Sequence, residues 1–451
     1  MSNDGHAVKQ AWPTAGTGWY ATLILTLAYT LSFVDRQILN LLVEPIKTDL
    51  SLSDTRISLL QGAAFVGTYV LMSVPIGRLV DRFKRFYVLI GGMLTWSAAT
   101  IGCGLSGSFA QLLFARMFVG AGESSVTPAA WSLLADYFPS DRLARPVSVF
   151  LMGPYLGAGL ALIIGAEVIE WAGGMEHLKL PFFGQLAPWQ FTFIVVGLPG
   201  FLLSALLFTV HEPERKGRLQ GSESGGASWP VVWRFVIRHW RIYCAFLLGV
   251  PFLVVLLYGL QAWVPTFLVR VYEWDIPRAG RFYGPIALLT GSAGVLTGPI
   301  VAKWVDGRGH TDSPLRVTII ATAMACICVA PVPLQTDPMV ALALIGAASF
   351  FVTLPLALVA SALQTVTPNE MRGLIAGLYV ITVNVIGLAV GPTVVALLTD
   401  RLFGDPAAVG KSLSLLSIGV APIAIALLAS GMKPYRARME ESSGFESSGV
   451  V

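Results

Sequence analysis

Long apolar runs alternate with short polar breaks along the whole chain. The runs fall at roughly 19–42, 58–77, 86–107, 110–137, 146–169, 189–210, 243–270, 282–303, 317–334, 339–366, 373–398 and 412–431. A helix needs about 20 mostly apolar residues to cross the hydrocarbon core of a bilayer. A membrane β-strand needs only about ten, alternating in polarity, whereas these runs are apolar on every side. Only helices and closed barrels satisfy the backbone in lipid. The pattern therefore predicts an all-α, polytopic membrane protein with twelve transmembrane helices. Residues 1–18 are polar, and the first run reads as a retained span rather than a cleaved leader.

The longest polar break, 211–242, begins HEPERKGRLQGSESGGAS, a Gly/Ser-rich linker. It separates two six-helix halves of similar length, 1–210 and 243–451, and the halves share local patterns. Gly77-Arg78-Leu79-Val80-Asp81 after the second run matches Ala302-Lys303-Trp304-Val305-Asp306 after the eighth. Phe138-Pro139-Ser140-Asp141-Arg142 after the fourth pairs with Thr367-Pro368-Asn369-Glu370-Met371-Arg372 after the tenth. Two pseudo-symmetric halves joined by a flexible connection are the layout of a duplicated transporter.

Composition narrows the class further. Hydrophobic residues make up 55% of the 451 and charged residues only 12%, too few charges for a soluble enzyme or a disordered chain. With the N-terminus placed inside, 20 of the 30 Lys and Arg fall on the inner side, 8 on the outer side and 2, Arg36 and Arg116, within the membrane. That asymmetry predicts both termini in the cytoplasm. Basic residues spread over loops in this way orient helices and give no nucleic-acid surface. Cys103, Cys244, Cys326 and Cys328 lie in apolar runs, and the five His lie in loops or tails. Neither set has metal-ligand spacing, and no phosphate-binding Gly-x-x-x-x-Gly-Lys-Ser/Thr loop occurs. No metal, cofactor or ATP use is expected.

Charges in mid-membrane are costly and mark pathways or relays. Four lie well inside runs: Asp35 and Arg36 in the first, Arg116 and Glu123 in the fourth. At about 1.5 Å per residue, Asp35 and Arg116 both sit about 10 Å below the outer surface. Glu123 falls two turns deeper than Arg116 on the same helix face, with Gly120 between them. Ser32, Asp35, Arg36 and Leu39 form one stripe. Burial favours the neutral form of a carboxyl and a nearby Arg favours the ionised form, so a cavity that opens and closes would move both balances. Asp35 and Glu123 are thus candidate proton carriers, and Arg36 and Arg116 candidate partners for an anionic head group or for the acids. The competing structural account is a static set of salt bridges between the two helices. In the second half Gln261, Trp263, Gln364 and Asn384 are the polar or aromatic candidates, each equally suited to helix–helix bonding. Glu167 lies close to the outer end of the fifth run and reads as facing water.

With these residues in view the chain resembles the major facilitator superfamily. Gly77-x-x-x-Asp81-Arg82-x-x-Arg85 looks like that family's signature loop, with Lys84 where Gly is usual. Arg116-x-x-x-Gly120-x-Gly122, Gly153-Pro154 and Gly391-Pro392 resemble its further motifs. The resemblance implies a cytoplasmic gate built from Gly77, Asp81, Arg82 and Arg85 with acids such as Asp136. Phe33-Val34-Asp35-Arg36 together with Arg116-Met117-Phe118-Val119-Gly120-Ala121-Gly122-Glu123-Ser124 looks like the spinster branch, whose eukaryotic members are associated with export of sphingosine phosphate or lysophospholipids. The compact loops look like those of a bacterial relative, which implies a bacterial inner membrane. The expectation is a monomeric, proton-coupled carrier of an amphiphilic, lipid-like anion, embedded in membrane lipid, working by alternating access. A drug or small-metabolite transporter on the same fold is the near alternative. A polytopic membrane enzyme or a sensor is the remote one.

Overall fold

Each apolar run is helical, and most of the helices continue past their runs into the charged residues on either side. The computed structural model describes residues 12–139, 142–174, 179–180, 184–215, 229–368 and 371–447. His6, His177, Ser140, Asp141, Asn369, Glu370 and 216–228 of the linker lie outside the described residues. Eleven helices among the described residues are long and apolar enough to cross a membrane by length and composition. They are Ala15–Leu41 (span 1), Asp54–Arg82 (span 2), Arg85–Gly104 (span 3), Arg145–Gly173 (span 5), Pro188–Leu207 (span 6), Trp240–Tyr272 (span 7), Ile276–Asp306 (span 8), Ser313–Leu334 (span 9), Pro338–Val366 (span 10), Arg372–Phe403 (span 11) and Pro406–Glu440 (span 12).

The run at 110–137 supplies the remaining traverse, span 4, in two pieces, Phe109–Glu123 and Val126–Tyr137. The break has a local cause. Pro128 has no N–H to give to the carbonyl four residues back. The hydroxyls of Ser124 and Ser125 turn onto the carbonyls of Ala121 (2.7 Å) and Gly122 (2.9 Å). The fold is all-α, with one two-residue antiparallel ladder, Lys179–Leu180 against Gly184–Gln185, among the described residues. A helix that the polar character of 211–242 did not predict, Trp229–Arg238, lies just before span 7.

An even number of traverses puts the start of span 1 and the end of span 12 on one side, the terminal side; the other is the far side. The two sides are packed differently. On the far side, spans 2 and 11 touch: a Cβ on Gly62 would sit 2.5 Å from Leu388 O and 3.1 Å from Ala389 Cα. On the terminal side, the corresponding glycines Gly77 of span 2 and Gly373 and Gly377 of span 11 have nothing within 4 Å of such a Cβ. Near the middle, spans 5 and 8 approach through Gly159 and Gly284, close enough that a Cβ on Gly159 would lie 2.8 Å from Gly284 O. Small residues permit this approach where no hydrophobic force draws helices together. The bundle is therefore closed on the far side and splayed on the terminal side.

Candidate functional site

Spans 1 and 4 cross where their charges lie, so the four ionisable residues form one buried cluster. Asp35 and Arg116 are 0% exposed, Glu123 1% and Arg36 7%. Arg36 Nη2 donates to Glu123 Oε2 at 2.7 Å. The guanidinium carbon of Arg36 lies 4.3 Å from the centroid of the Phe33 ring, 4.2 Å from that of Phe65 and 5.8 Å from that of Tyr69, a geometry that steadies a cation away from water.

Arg116 does something else. It donates to three backbone carbonyls, Leu60 O (3.3 Å), Asp35 O (3.1 Å) and Arg36 O (3.3 Å). Leu60 belongs to a wide π-helical turn of span 2, Leu59–Ala63. Arg116 thus staples spans 1, 2 and 4 together. Its hydrogen bonds go to carbonyls and not to the acid or head group expected of it, because its fork spans the gap between two helix backbones.

Asp35 is left over. Neither of its carboxylate oxygens has a partner at hydrogen-bond distance and angle among the described residues, and the one side-chain donor that faces it, Trp96 Nε1, stops short of that geometry. Glu123 Oε1 and Arg36 Nε also lack partners. Partly satisfied polar clusters are expensive in a dry interior, so this one asks for an explanation beyond stability.

Toward the far side, a chain of amides adjoins the charges. Gln37 Nε2 donates to Gln261 Oε1 at 2.8 Å, Asn40 donates to Gln37, and Gln61 Nε2 donates to Asn40 Oδ1 at 3.1 Å and to Ala262 O at 3.2 Å. Gln261 was legible as a candidate. Gln37, Asn40 and Gln61 were missed, although Gln37 and Asn40 stand one and four residues beyond Arg36 in an otherwise apolar run. Of the other second-half candidates, Gln364 is exposed, with its backbone carbonyl engaged by Arg372 Nε at 2.9 Å, while Trp263 and Asn384 are engaged by backbone. Trp263 is fully buried with Nε1 on Pro392 O at 2.9 Å, which joins spans 7 and 11. Asn384 Nδ2 donates to Val380 O (2.8 Å) in its own helix, as Ser32 Oγ does to Tyr29 O (3.1 Å) in span 1. Five half-buried tyrosines, Tyr29, Tyr69, Tyr155, Tyr258 and Tyr379, come from spans 1, 2, 5, 7 and 11. Tyr29, Tyr258 and Tyr379 neighbour Tyr155, and Tyr258 lies beside Tyr69 and Arg36. They too were missed, since a tyrosine in an apolar run reads as core.

The far side carries a latch. Arg270 at the end of span 7 donates to Asp54 Oδ2 and Oδ1 (2.6 and 2.7 Å) and to Glu44 Oε1 (2.6 Å), and Lys47 Nζ reaches Asp54 Oδ1 at 2.6 Å. Asp400 of span 11 accepts from both N–H and Oγ1 of Thr55 at 2.7 Å. The sequence placed Lys47 and Arg270 only as outer-loop charges.

On the terminal side Arg85 is fully buried. It pairs with Asp136 and donates to Glu212 Oε1 (3.1 Å), Ser132 O (3.1 Å) and Pro213 O (3.0 Å). Glu212 was not foreseen. Arg82 was expected to pair with Asp136 or a helix end. It is exposed, and no hydrogen bond or ion pair of its side chain is found among the described residues. Arg215 takes the helix end instead, donating to the carbonyls of Asp81, Val80 and Phe83 at the close of span 2.

The pattern of the Major Facilitator Superfamily matches residues 25–392. The chain is 28% identical over 422 residues to an MFS-type efflux pump of Mycolicibacterium smegmatis, across 92% of this chain and 90% of the pump. It is 27% identical over 318 residues to protein spinster homolog 1 of Bos taurus, across 66% of this chain and 57% of that protein. The crystal structure of a bacterial homolog to the human lysosomal transporter Spinster, inward-facing and unoccupied, superposes with a TM-score of 0.78 at 22% identity. The superposition covers 95% of this chain and 99% of that one.

Proposed function

This chain belongs to the Major Facilitator Superfamily, and from that premise we propose that it is a proton-coupled secondary transporter of an amphiphilic, lipid-like anion. It works by alternating access in a bacterial inner membrane, as a monomer with both termini cytoplasmic. Residues 1–210 and 243–451 are the two rocking bundles and 211–242 their connection. Under this topology the splayed terminal side is the cytoplasmic mouth, and the Arg270–Asp54 latch closes the outer one.

The observation that carries the reading is the unpartnered carboxylate of Asp35, 0% exposed and one residue from the Arg36–Glu123 pair. The charge on a buried carboxyl that no well-aligned donor bonds is costly, and taking up a proton removes it. Protonation of Glu123 would free Arg36 for an anionic head group, because an arginine keeps its charge and its paired donors. Loss of the proton on the other side would return Arg36 to Glu123 and expel the head group. Tyrosines from both bundles offer the wall an amphiphile needs, with a polar tip and an apolar body. Arg116 holds the geometry without entering the exchange.

The test uses purified protein in vesicles with an imposed pH gradient and a fluorescent lysophospholipid as probe. Wild type accumulates the probe. Asp35→Asn and Glu123→Gln abolish gradient-driven accumulation while leaving counterflow measurable. Full gradient-driven uptake by both variants would show that the proton role is wrong.

The efflux-pump relative supports a second reading, a drug or small-metabolite carrier on the same fold. A panel of labelled lysolipids and small solutes separates the two by which is accumulated. Binding without accumulation of anything would point to a sensor.

A further inference from the structure

The helix Trp229–Arg238 carries three different faces. Val232 is buried, and Phe235 and Val236 pack with it against Ile242, Tyr243 and Tyr435. A second stripe, Trp229, Trp233 and Ile237, points outward at the i, i+4, i+8 spacing and is 58%, 58% and 54% exposed. Arg234 and Arg238, four residues apart, form the third, also exposed. After a single break at His239 the chain enters span 7 at Trp240, itself 54% exposed. Two stacked turns of large apolar side chains facing outward, beside arginines and fused to a membrane span, fit the boundary between head groups and acyl chains.

A cavity of about 250 Å³ lies at the C-terminal end of this helix. It is lined by Arg238, His239, Trp240, Arg241 and Ile242 and by Pro434, Ala437 and Arg438 of the helix that continues span 12. Arginines converge on it from both elements, and its described lining contains no acid. The Arg241 guanidinium lies 5.4 Å from the centroid of the Trp240 ring.

We propose that this cavity holds the phosphate of an anionic phospholipid, with the acyl chains lying along the Trp229–Trp233–Ile237 stripe. Charge complementarity selects an anion, and the adjoining apolar stripe selects a lipid over a free phosphate. Arginine forks suit a phosphodiester's paired oxygens. Basic pockets beside membrane spans recognise lipid head groups by the same physics. The inference goes beyond transport and needs only that the chain is embedded in a bilayer.

The experiment counts lipids bound to the purified full-length protein by native mass spectrometry, titrating phosphatidylglycerol against phosphatidylcholine. Wild type prefers phosphatidylglycerol. Arg238→Gln with Arg241→Gln weakens phosphatidylglycerol binding about 25-fold, at about fivefold for each arginine near the surface, and leaves phosphatidylcholine unchanged. Arg238→Lys with Arg241→Lys keeps the charges and retains most of the preference, which guards against a folding defect in the first pair. Trp229→Gln with Trp233→Gln weakens both lipids alike. An undiminished preference in the Arg→Gln pair overturns the proposal. So does displacement of the lipid by equimolar glycerol phosphate, or a change in oligomeric mass in place of a change in lipid count.

Discussion

At the scale of single residues, the Arg36–Glu123 pair and the lone Asp35 make opposite demands. A buried pair is held by its own attraction, and its worth shows when one partner goes. Arg36→Met leaves Glu123 buried beside an unpartnered Asp35, and should lower unfolding stability in detergent by about 3–5 kcal/mol. Adding Glu123→Met should restore most of that loss, since two apolar side chains of similar length ask for no partners. Thermal or denaturant unfolding of the single and double variants checks this. A double variant as unstable as the single one would mean that Glu123 is not the charge Arg36 offsets. Arg116 belongs to a different class of residue. Its three carbonyl acceptors lie on spans 1 and 2, so its role was invisible in a sequence that shows side chains and not the backbone gaps they fill.

At the scale of elements, the apolar runs located the helices because lipid leaves the backbone no alternative. What the runs hid were the interruptions. Span 4 breaks where Pro128 withholds an N–H, and span 2 widens at Leu59–Ala63. Neither changes the hydropathy that marks a run. The helix Trp229–Arg238 was hidden for the opposite reason, since its arginines dilute its apolar positions below any spanning threshold. The latch was hidden because Glu44, Lys47, Asp54 and Arg270 come from separate ends that only the fold brings together.

Glycines in spans 2 and 11 turn this into a measurement. Gly62→Val drives a branched side chain into Leu388 O and Ala389, and should lower the thermal midpoint by the equivalent of about 1–3 kcal/mol of overpacking. Gly77→Ala meets nothing and should leave the midpoint unchanged or slightly raised, as alanine suits a helix better. It should nevertheless slow transport, because under the proposed alternating access the space empty in this conformation would be filled on closure of the terminal ends. Equal effects of the two variants on stability would contradict the splayed arrangement.

At the scale of the whole molecule, the proposed alternating access makes the far-side contacts the ones that would bias which conformation is populated. Arg270 is 6% exposed at its side chain and holds Asp54, 0% exposed, together with Glu44. These bonds join span 7 to the ends of spans 1 and 2, and so cannot survive separation of the two bundles on that side. An interaction present in only one of two states biases their equilibrium by its full free energy. Removing one partner of such a pair costs about 3 kcal/mol or more, although Lys47 still holds Asp54 at 2.6 Å and will recover part of it. Arg270→Gln should therefore move the equilibrium toward a far-side-open form by a factor of about ten to a hundred. Spin labels at Ser51 and Leu334, both exposed, in a background without the four native cysteines, should show a second, longer distance population in this variant. Arg270→Lys, which keeps a charge but loses the fork, should fall between. A distance distribution identical to wild type in Arg270→Gln would mean that the Gln37–Gln261 and Gln61–Ala262 bonds, not the ion pairs, keep the far side shut.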